Sequence, residues 1–195
     1  MFSHTVDQYE ALGLLDVGAP GVHCTGAYTD ELPSADYHGG RAQARDVWVF
    51  GLAQVFSTIS PEMHDVFEIQ PMKPHLERFG LAYYGCCDPL DRKIHIVRKI
   101  RNVRKISASP WADPERTAEQ IGRDFVLSAK PNPAFLATDR FDEARVRREL
   151  RHIVAACRTH GTPCELILKD VSTVRYEPQR LVAWERIARE VATEG

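Results

Sequence analysis

The sequence predicts a parallel α/β fold in which strands alternate with helices. Apolar segments of strand character end abruptly in polar or proline-containing residues at 81–90, 103–109, 125–130 and 165–168. A helix-like segment follows each of them. Repeated units of strand, polar end and helix are typical of a parallel sheet, and in a barrel of this kind the strand C-terminal ends line the active face.

The N-terminal part of the chain is less regular. Residues 1–13 have the apolar spacing of a helix end, and residues 14–17 form a short apolar run that suits a strand. Residues 16–45 are rich in Gly, Pro, Asp and Thr and have no periodicity, which predicts a long loop. That loop is either a solvated connection or a lid over a substrate. Residues 47–56 are mostly apolar, and their length suits either a buried strand or a helix.

The later helices have recognisable start signals. Ser60 is a cap residue followed by Pro61 and an acidic residue, which is the pattern of a first helical turn. Asp113, Asp142 and Glu177 stand at the beginning of three further segments with apolar residues at helical spacing. Those apolar stripes are expected to face the core.

Length and composition indicate an ordinary globular protein. The chain has 195 residues, 44% hydrophobic and 27% charged, with a net charge of −2. One domain covering residues 1–195 is therefore expected, and nucleic acid is not an expected partner. The sequence contains no apolar run of the roughly 20 residues that span a bilayer and no secretory pattern at its start, so a cytoplasmic location without membrane contact is expected.

Polar residues at the strand ends form the candidate site. Because side chains alternate along a strand, neighbouring strands would bring Lys130, either Lys169 or Asp170, and either Cys86 or Cys87 to one cavity. A lysine at a buried strand end needs an anion, which is either a carboxylate of the protein or an acidic substrate. The structural alternative is a Lys–Asp pair that only closes the top of the barrel.

The adjacent thiols of Cys86 and Cys87 have three interpretations. An odd total of five cysteines does not suggest a disulfide framework. Thiolates are good zinc ligands, although a site needs three or four ligands and adjacent cysteines supply at most two. A nucleophilic role requires a nearby base, and none of the four strand ends carries a histidine. The third interpretation is inert packing.

Most of the chain from about residue 48 onward resembles the uroporphyrinogen decarboxylase superfamily. More narrowly, it is similar to a branch of decarboxylase-like proteins related to corrinoid-dependent methyltransferases. The earlier TDELP also fits this branch, and GCCDPL, SPWAD and KPNP are fairly specific together. The segments that carry the resemblance are FSTISPEMHDVF, YYGCCDPLDRKI, VRKISASPWAD, FVLSAKPNPAFLA and LILKDVSTVRYEPQRL.

The resemblance implies a (β/α)8 TIM barrel with its site at the strand C-termini. In the zinc-dependent methyltransferases of this superfamily a His-x-Cys pair binds the metal; Cys86 matches that Cys, but Tyr84 replaces the His. In the decarboxylases Asp170 would replace the His of a Gly-His-Gly motif. The KPNP segment is similar to their Gly-Asn-Leu-Asp-Pro turn, with Asn132 in register and Lys130 in place of the Gly. Their N-terminal arginine motif has no counterpart.

The expected roles follow from these matches. Lys130, Lys169 and Asp170 are the candidate catalytic residues, and Cys86 and Cys87 are the candidate ligands of zinc. The candidate substrate-binding residues lie in the matching motifs and in the long loop: Asp30, Glu31, Asp88, Ser107, Trp111 and Asn132.

The number of units predicts an incomplete barrel. Together with two weaker candidates near Leu14 and Val47, the strand–helix units number about six, whereas a barrel needs eight. Missing units would leave unpaired strand edges and an apolar flank near the Leu14 and Val47 segments. A second chain that completes the barrel is therefore one expected partner.

Two functions are compatible with this sequence. The first is a lyase or methyltransferase that acts on a small or tetrapyrrole-linked carboxylate- or methyl-bearing substrate; the methyltransferase would use zinc or a corrinoid protein. The second is a non-catalytic truncated barrel that acts as an assembly partner or is a remnant.

Overall fold

The computed structural model describes residues 2–52 and 54–194, and it shows a mixed α/β fold built on a five-stranded parallel sheet. Strands pair in chain order, which confirms the predicted direction and adjacency of the strands that lead to Cys86, Ser109, Lys130 and Asp170. A separate antiparallel pair, β1 and β2, lies before the sheet. The strands are β1 (Gly21–Val22), β2 (Thr25–Gly26), β3 (Trp48–Gly51), β4 (Leu81–Tyr84), β5 (Val103–Ala108), β6 (Val126–Ala129) and β7 (Cys164–Leu166).

Helical segments connect the parallel strands, and several begin at the predicted caps. The Ser60 side chain accepts a hydrogen bond from the Met63 amide at 3.2 Å, and Asp113 and Asp142 cap the next predicted helices in the same way. The α-helices are α1 (Phe2–Leu12), α2 (Pro61–His64), α3 (Gln70–Leu76), α4 (Ile94–Val97), α5 (Pro114–Ile121), α6 (Glu143–His160) and α7 (Gln179–Thr193). A π-helical turn, Asp65–Ile69, joins α2 to α3.

The two faces of the sheet differ in chemistry. One face carries Ala82, Ile106 and Leu127, and it packs in the main hydrophobic core with the helices. We call the opposite face the inner face. Its side chains are in register across the strands, and many of them are polar. The inner face includes Phe50, Tyr83, Lys105, Ser107, Ser128 and Glu165, and Lys130, two residues after Ser128, continues it beyond the end of β6.

A hairpin of the long 16–45 loop covers the inner face. We call residues 21–26, which contain β1 and β2, the covering hairpin. Its His23 ring stacks on Phe50 with a centroid distance of 4.1 Å. Lys105 Nζ donates a hydrogen bond to the Gly26 carbonyl at 2.6 Å, and Thr25 Oγ1 donates to Glu165. This part of the loop is therefore a packed cover rather than a solvated connection.

The structure corrects the expected number of strands. Residues 14–17 form no strand, because α1 ends at Leu12 and Gly13 turns the chain with a φ of +67°, which leaves the Leu14 side chain 61% exposed. The first parallel strand is instead β3, in the apolar 47–56 segment. Within the described residues the sheet has five strands and does not close into a barrel, so β3 and β7 are its edges.

Exposed apolar residues lie in both segments where an apolar flank is expected. Leu14 is 61% exposed, and Leu52 and Val55 of the 47–56 segment are 48% and 79% exposed, although Val47 itself is buried. Further exposed apolar residues follow in the next helical segment: Met63, Val66 and Phe67.

Among residues 2–52 and 54–194, no helix combines the length and the apolar character needed to cross a membrane.

The ion pair that fastens the covering hairpin can be tested by a double-mutant cycle. Lys105 Nζ lies 3.0 Å from Glu165 Oε2, and the side chains are 8% and 23% exposed. We expect Glu165→Gln to cost about 2–3 kcal/mol of unfolding free energy, since it leaves a buried ammonium without its carboxylate. In a Lys105→Met background the same substitution should cost less than about 0.5 kcal/mol.

The control is Glu143→Gln, which breaks a pair with Arg186 whose side chains are 50% and 48% exposed. Surface pairs of this kind contribute roughly 0–1 kcal/mol. Urea unfolding of all four variants measures the differences. Equal costs of Glu165→Gln in both backgrounds would show that the pair does not fasten the hairpin.

Candidate functional site

The candidate site lies beyond the C-terminal ends of the parallel strands. Cys86 and Cys87 follow β4, and Lys169 and Asp170 follow β7 by three and four residues. His23, at the tip of the covering hairpin, reaches the same place. Strand ends on one edge of a parallel sheet are brought together by the fold itself, which explains the meeting of residues separated by more than 80 positions.

An ammonium group contacts both thiols. Lys169 Nζ donates to Cys86 Sγ at 3.2 Å and to Cys87 Sγ at 3.4 Å, and it lies 3.3 Å from Asp170 Oδ2. The two sulfurs are 3.5 Å apart, and Cys87 Sγ also donates to Asp170 Oδ2 at 3.4 Å. Lys169 therefore pairs with Asp170, as in the structural alternative, but its ammonium is also shared with both sulfurs.

The members of this cluster differ in how readily they gain or lose a proton. Burial disfavours the charged form of Lys169, but its hydrogen bonds to Cys86, Cys87 and Asp170 outweigh this and raise its pKa. Burial and the contact with Cys86 raise the pKa of Cys87 to about 11, although Lys169 opposes the shift. At neutral pH Lys169 is a cation and Cys87 is a protonated thiol.

His23 is a site residue that the sequence did not reveal. Its Nε2 lies 3.2 Å from Cys86 Sγ, although the two residues are 63 positions apart. It is the first of the two loop residues of the covering hairpin and has a φ of +54°. Two-residue hairpin loops require a positive φ, which residues other than Gly adopt rarely. The absence of a histidine at the strand ends is therefore no objection to a nucleophilic thiol, because the loop supplies one.

The surroundings of His23 favour its neutral form. Partial burial lowers the pKa of His23, the nearby charges of Lys169 and Lys130 lower it further, and Asp170 only partly opposes them. Stacking on Phe50, with an angle of 9° between the rings, fixes the plane of the imidazole. A neutral, oriented imidazole next to a thiol is able to accept that thiol's proton.

Lys130 lies deeper, below the thiols. It is 2% exposed, and its Nζ donates to Tyr83 Oη and, at 2.8 Å, to Ser107 Oγ. Ser107 Oγ in turn donates to the Cys86 carbonyl at 2.5 Å. Burial lowers the pKa of Lys130, a shift that the neighbouring Lys169 increases and that Cys24, Cys86 and Glu165 oppose.

Among the residues that the structure describes, Lys130 has no carboxylate partner, although it is a buried lysine at the strand ends. Among the ion pairs of the described residues, none includes Lys130, whereas Lys105 on the same inner face pairs with Glu165. A buried ammonium that is contacted only by hydroxyl groups is costly. This lysine therefore fits a site whose anion comes from outside the chain.

Two of the predicted substrate-binding residues have structural roles. Asp88 is buried and accepts a hydrogen bond from the Cys86 amide at 3.0 Å, which shapes the turn that carries the thiols. The Asn132 side chain caps the short 3-10 helix Pro133–Leu136 by accepting from the Ala134 amide at 3.0 Å. Ser107, by contrast, contacts Lys130 directly and belongs to the site.

The remaining predicted residues are not brought to the thiols. Trp111 follows β5, but its side chain is 75% exposed. Glu31 pairs with Arg104, and Asp30 is exposed in the long loop. None of the three has a contact with the cluster described above.

The donor set does not fit a zinc ion. Within the described residues, no group of three or more His, Cys, Asp or Glu side chains is arranged to hold a metal ion. The position that would suit a cation between Cys86 and Cys87 already has the Lys169 ammonium at hydrogen-bond distance from both sulfurs. A metal and an ammonium at one place repel each other, so the role of these cysteines as zinc ligands remains a prediction from the resemblance alone.

Comparisons with known proteins identify no relative. No protein-family model, no curated protein and no solved structure matches this chain. The function must therefore be inferred from the chemistry of the strand ends.

The site predicts a pH-dependent term in stability. Since the pKa of His23 is lowered in the folded chain, the unfolded chain binds a proton at His23 more readily below about pH 6.5. Stability contributed at this position is present above that pH and decreases as the pH falls toward the folded pKa. We expect the difference in unfolding free energy between the parent chain and His23→Asn to shrink between pH 8 and pH 5.5.

Asparagine is the suitable replacement because it tolerates a positive φ. Urea unfolding at four pH values measures the difference. A difference that stays constant over this range would show that folding does not lower the affinity of His23 for protons.

Proposed function

We propose that the protein is an enzyme of the decarboxylase-like type that binds a small carboxylate-bearing substrate at the strand C-terminal ends. We further propose that its sheet is part of a (β/α)8 barrel. The five consecutive parallel strands, paired in chain order with helices between them, support this assignment. The motif resemblance to the uroporphyrinogen decarboxylase superfamily agrees with it.

The observation that carries the proposal is the unpaired Lys130. A 2% exposed lysine held by Tyr83 and Ser107 provides hydrogen-bond donors in a place from which water is largely excluded. A substrate carboxylate, or negative charge that develops on an intermediate, would supply the missing counter-charge. Electrostatic stabilisation of this kind is strong because the surroundings are already organised and poorly solvated.

The second lysine extends the cationic site toward the surface. Lys169 has a 12% exposed side chain and lies above Lys130, next to the thiols. In a lyase reaction, the bond to a departing carboxyl group leaves its electron pair on the substrate, and a cation near that carbon lowers the barrier. Two lysines at different depths are suited to hold one carboxylate and to stabilise this charge.

The lyase version is favoured over the methyltransferase version. The methyltransferase would use zinc or a corrinoid protein, and the ammonium that contacts both thiols does not suit a metal. The lyase version needs neither, because the protein's own cations stabilise the charge.

A non-catalytic partial barrel is the second candidate, and the open sheet favours it. β3 and β7 are edges in the described part of the chain, and an unpaired edge is able to receive a strand from another chain. Ligand binding at Lys130 distinguishes the two candidates.

Lys130→Met tests the proposed function. We expect the parent chain to bind acetate, succinate or citrate in calorimetric titrations, and not the corresponding amides. Loss of a hydrogen bond to a charged group costs about 1.5–3 kcal/mol, so Lys130→Met should weaken binding at least about 10-fold. Its urea midpoint should be equal to or higher than that of the parent, since an unpaired buried charge is removed.

Lys73→Met is the matched control, because Lys73 has a 41% exposed side chain on α3, away from the strand ends. It should bind like the parent chain. Equal binding by Lys130→Met and the parent, or indifference to every carboxylate, would contradict the proposal.

A further inference from the structure

We propose that Cys86 is a nucleophilic thiol that forms a covalent bond to an electrophilic carbon of a small anionic compound, with His23 as the base that accepts its proton. This inference does not rest on the proposed lyase function. It follows from the contacts of the thiol itself, and its failure would leave the carboxylate site at Lys130 untouched.

Cys86 and Cys87 are not equivalent. The Cys86 sulfur has His23 Nε2 at 3.2 Å on one side and the Lys169 ammonium at 3.2 Å on another. The Cys87 thiol instead donates to the carboxylate of Asp170 at 3.4 Å, which holds its proton in place. Both thiols contact the Lys169 cation, but of the two only Cys86 has an imidazole as its proton acceptor. Imidazole is a much stronger base than the carboxylate beside Cys87.

The conformation of His23 is a second observation. A non-glycine residue with a φ of +54° costs free energy that glycine would avoid, and such residues cluster at functional positions. The turn places the ring flat against Phe50 and aims Nε2 at the sulfur. A nucleophile, a base and a group that orients the base are the three parts of an activated thiol.

The chemical step needs no further reactant. The Cys86 proton moves to His23 Nε2, and the sulfur forms a bond to the carbonyl carbon of the substrate. The electron pair of the C=O double bond moves to the oxygen, which takes the proton from His23. The product is a covalent addition product, and His23 returns to its neutral form.

Charge and access define the class of electrophile. Lys169 is next to the sulfur and Lys130 is deeper, so the site favours an anion despite the exposed carboxylate of Asp170. Cys86 is only 5% exposed, whereas the His23 and Asp170 side chains beside it are exposed. A small carboxylate that also carries an electrophilic carbon therefore fits best.

The test is alkylation of the reduced full chain with iodoacetate and with its neutral counterpart, iodoacetamide. The sulfur attacks the CH2 carbon, the carbon–iodine bond breaks, and iodide leaves with its electron pair. Peptide mass spectrometry measures the rate at each cysteine separately. We expect Cys86 to react faster than Cys87, and the ratio of the iodoacetate rate to the iodoacetamide rate at Cys86 should be several-fold higher than for glutathione.

Variants separate the roles of the neighbours. His23→Asn should lower the Cys86 rate at least about 10-fold, since general-base assistance is lost. Lys169→Met should abolish the preference for the anionic reagent. The matched control is His38→Asn, which changes an exposed histidine of the same loop and should leave the Cys86 rate as in the parent chain.

A measurement on the parent chain alone does not depend on whether the variants fold. The Cys86 rate should fall when the parent chain is unfolded in urea, because the base and the cation are then no longer held at the sulfur. The proposal is overturned if Cys86 in the folded chain reacts no faster than Cys87. It is also overturned if a folded His23→Asn variant reacts like the parent, or if unfolding raises the Cys86 rate.

Discussion

The covering of the inner face is the constraint on which this structure depends. A parallel sheet is normally buried on both faces, and here helices cover only one of them. The other face carries Lys105, Glu165 and Lys130. Burying their charged groups without hydrogen-bond or ion-pair partners would cost free energy of folding. The covering hairpin supplies a carbonyl, a hydroxyl and an aromatic ring for this face, and it thereby covers the part of the face that Phe50, Lys105 and Glu165 occupy.

Two buried lysines of the inner face differ in their partners, and we assign them different roles. Lys105 has a full set of partners, with the Gly26 carbonyl at 2.6 Å and Glu165 at 3.0 Å, and it fastens the hairpin. Lys130 is equally buried and has only hydroxyl partners. Within its described residues, the chain therefore places a carboxylate beside the buried charge of Lys105 and none beside that of Lys130.

Much of the framework was predictable from the sequence, because its signals are local. Apolar runs with polar ends fixed the order and direction of β4 to β7, and cap residues such as Asp113 and Asp142 fixed helix starts. The meeting of the thiols with Lys169 and Asp170 followed from the geometry of parallel strands. These features depend on residues that are close in sequence or on a rule that holds for every parallel sheet.

The part of the site that was missed depends on long-range contacts. Nothing in residues 16–45 indicates that His23 adopts a positive φ or lies against Phe50, because the turn is stabilised by a sheet that forms far along the chain. The strand count was too high for a related reason. An apolar run such as residues 14–17 becomes a strand only where a neighbouring edge is available to pair with it, and here the chain turns away after α1.

The covering hairpin also makes the thiol sensitive to changes made elsewhere in the sheet. His23 lies on the two-residue turn of the hairpin, and the second strand of that hairpin is held by Lys105 and Glu165. A substitution that loosens those contacts would therefore also displace the imidazole from Cys86, so the reactivity of the sulfur reports on an ion pair that it does not touch.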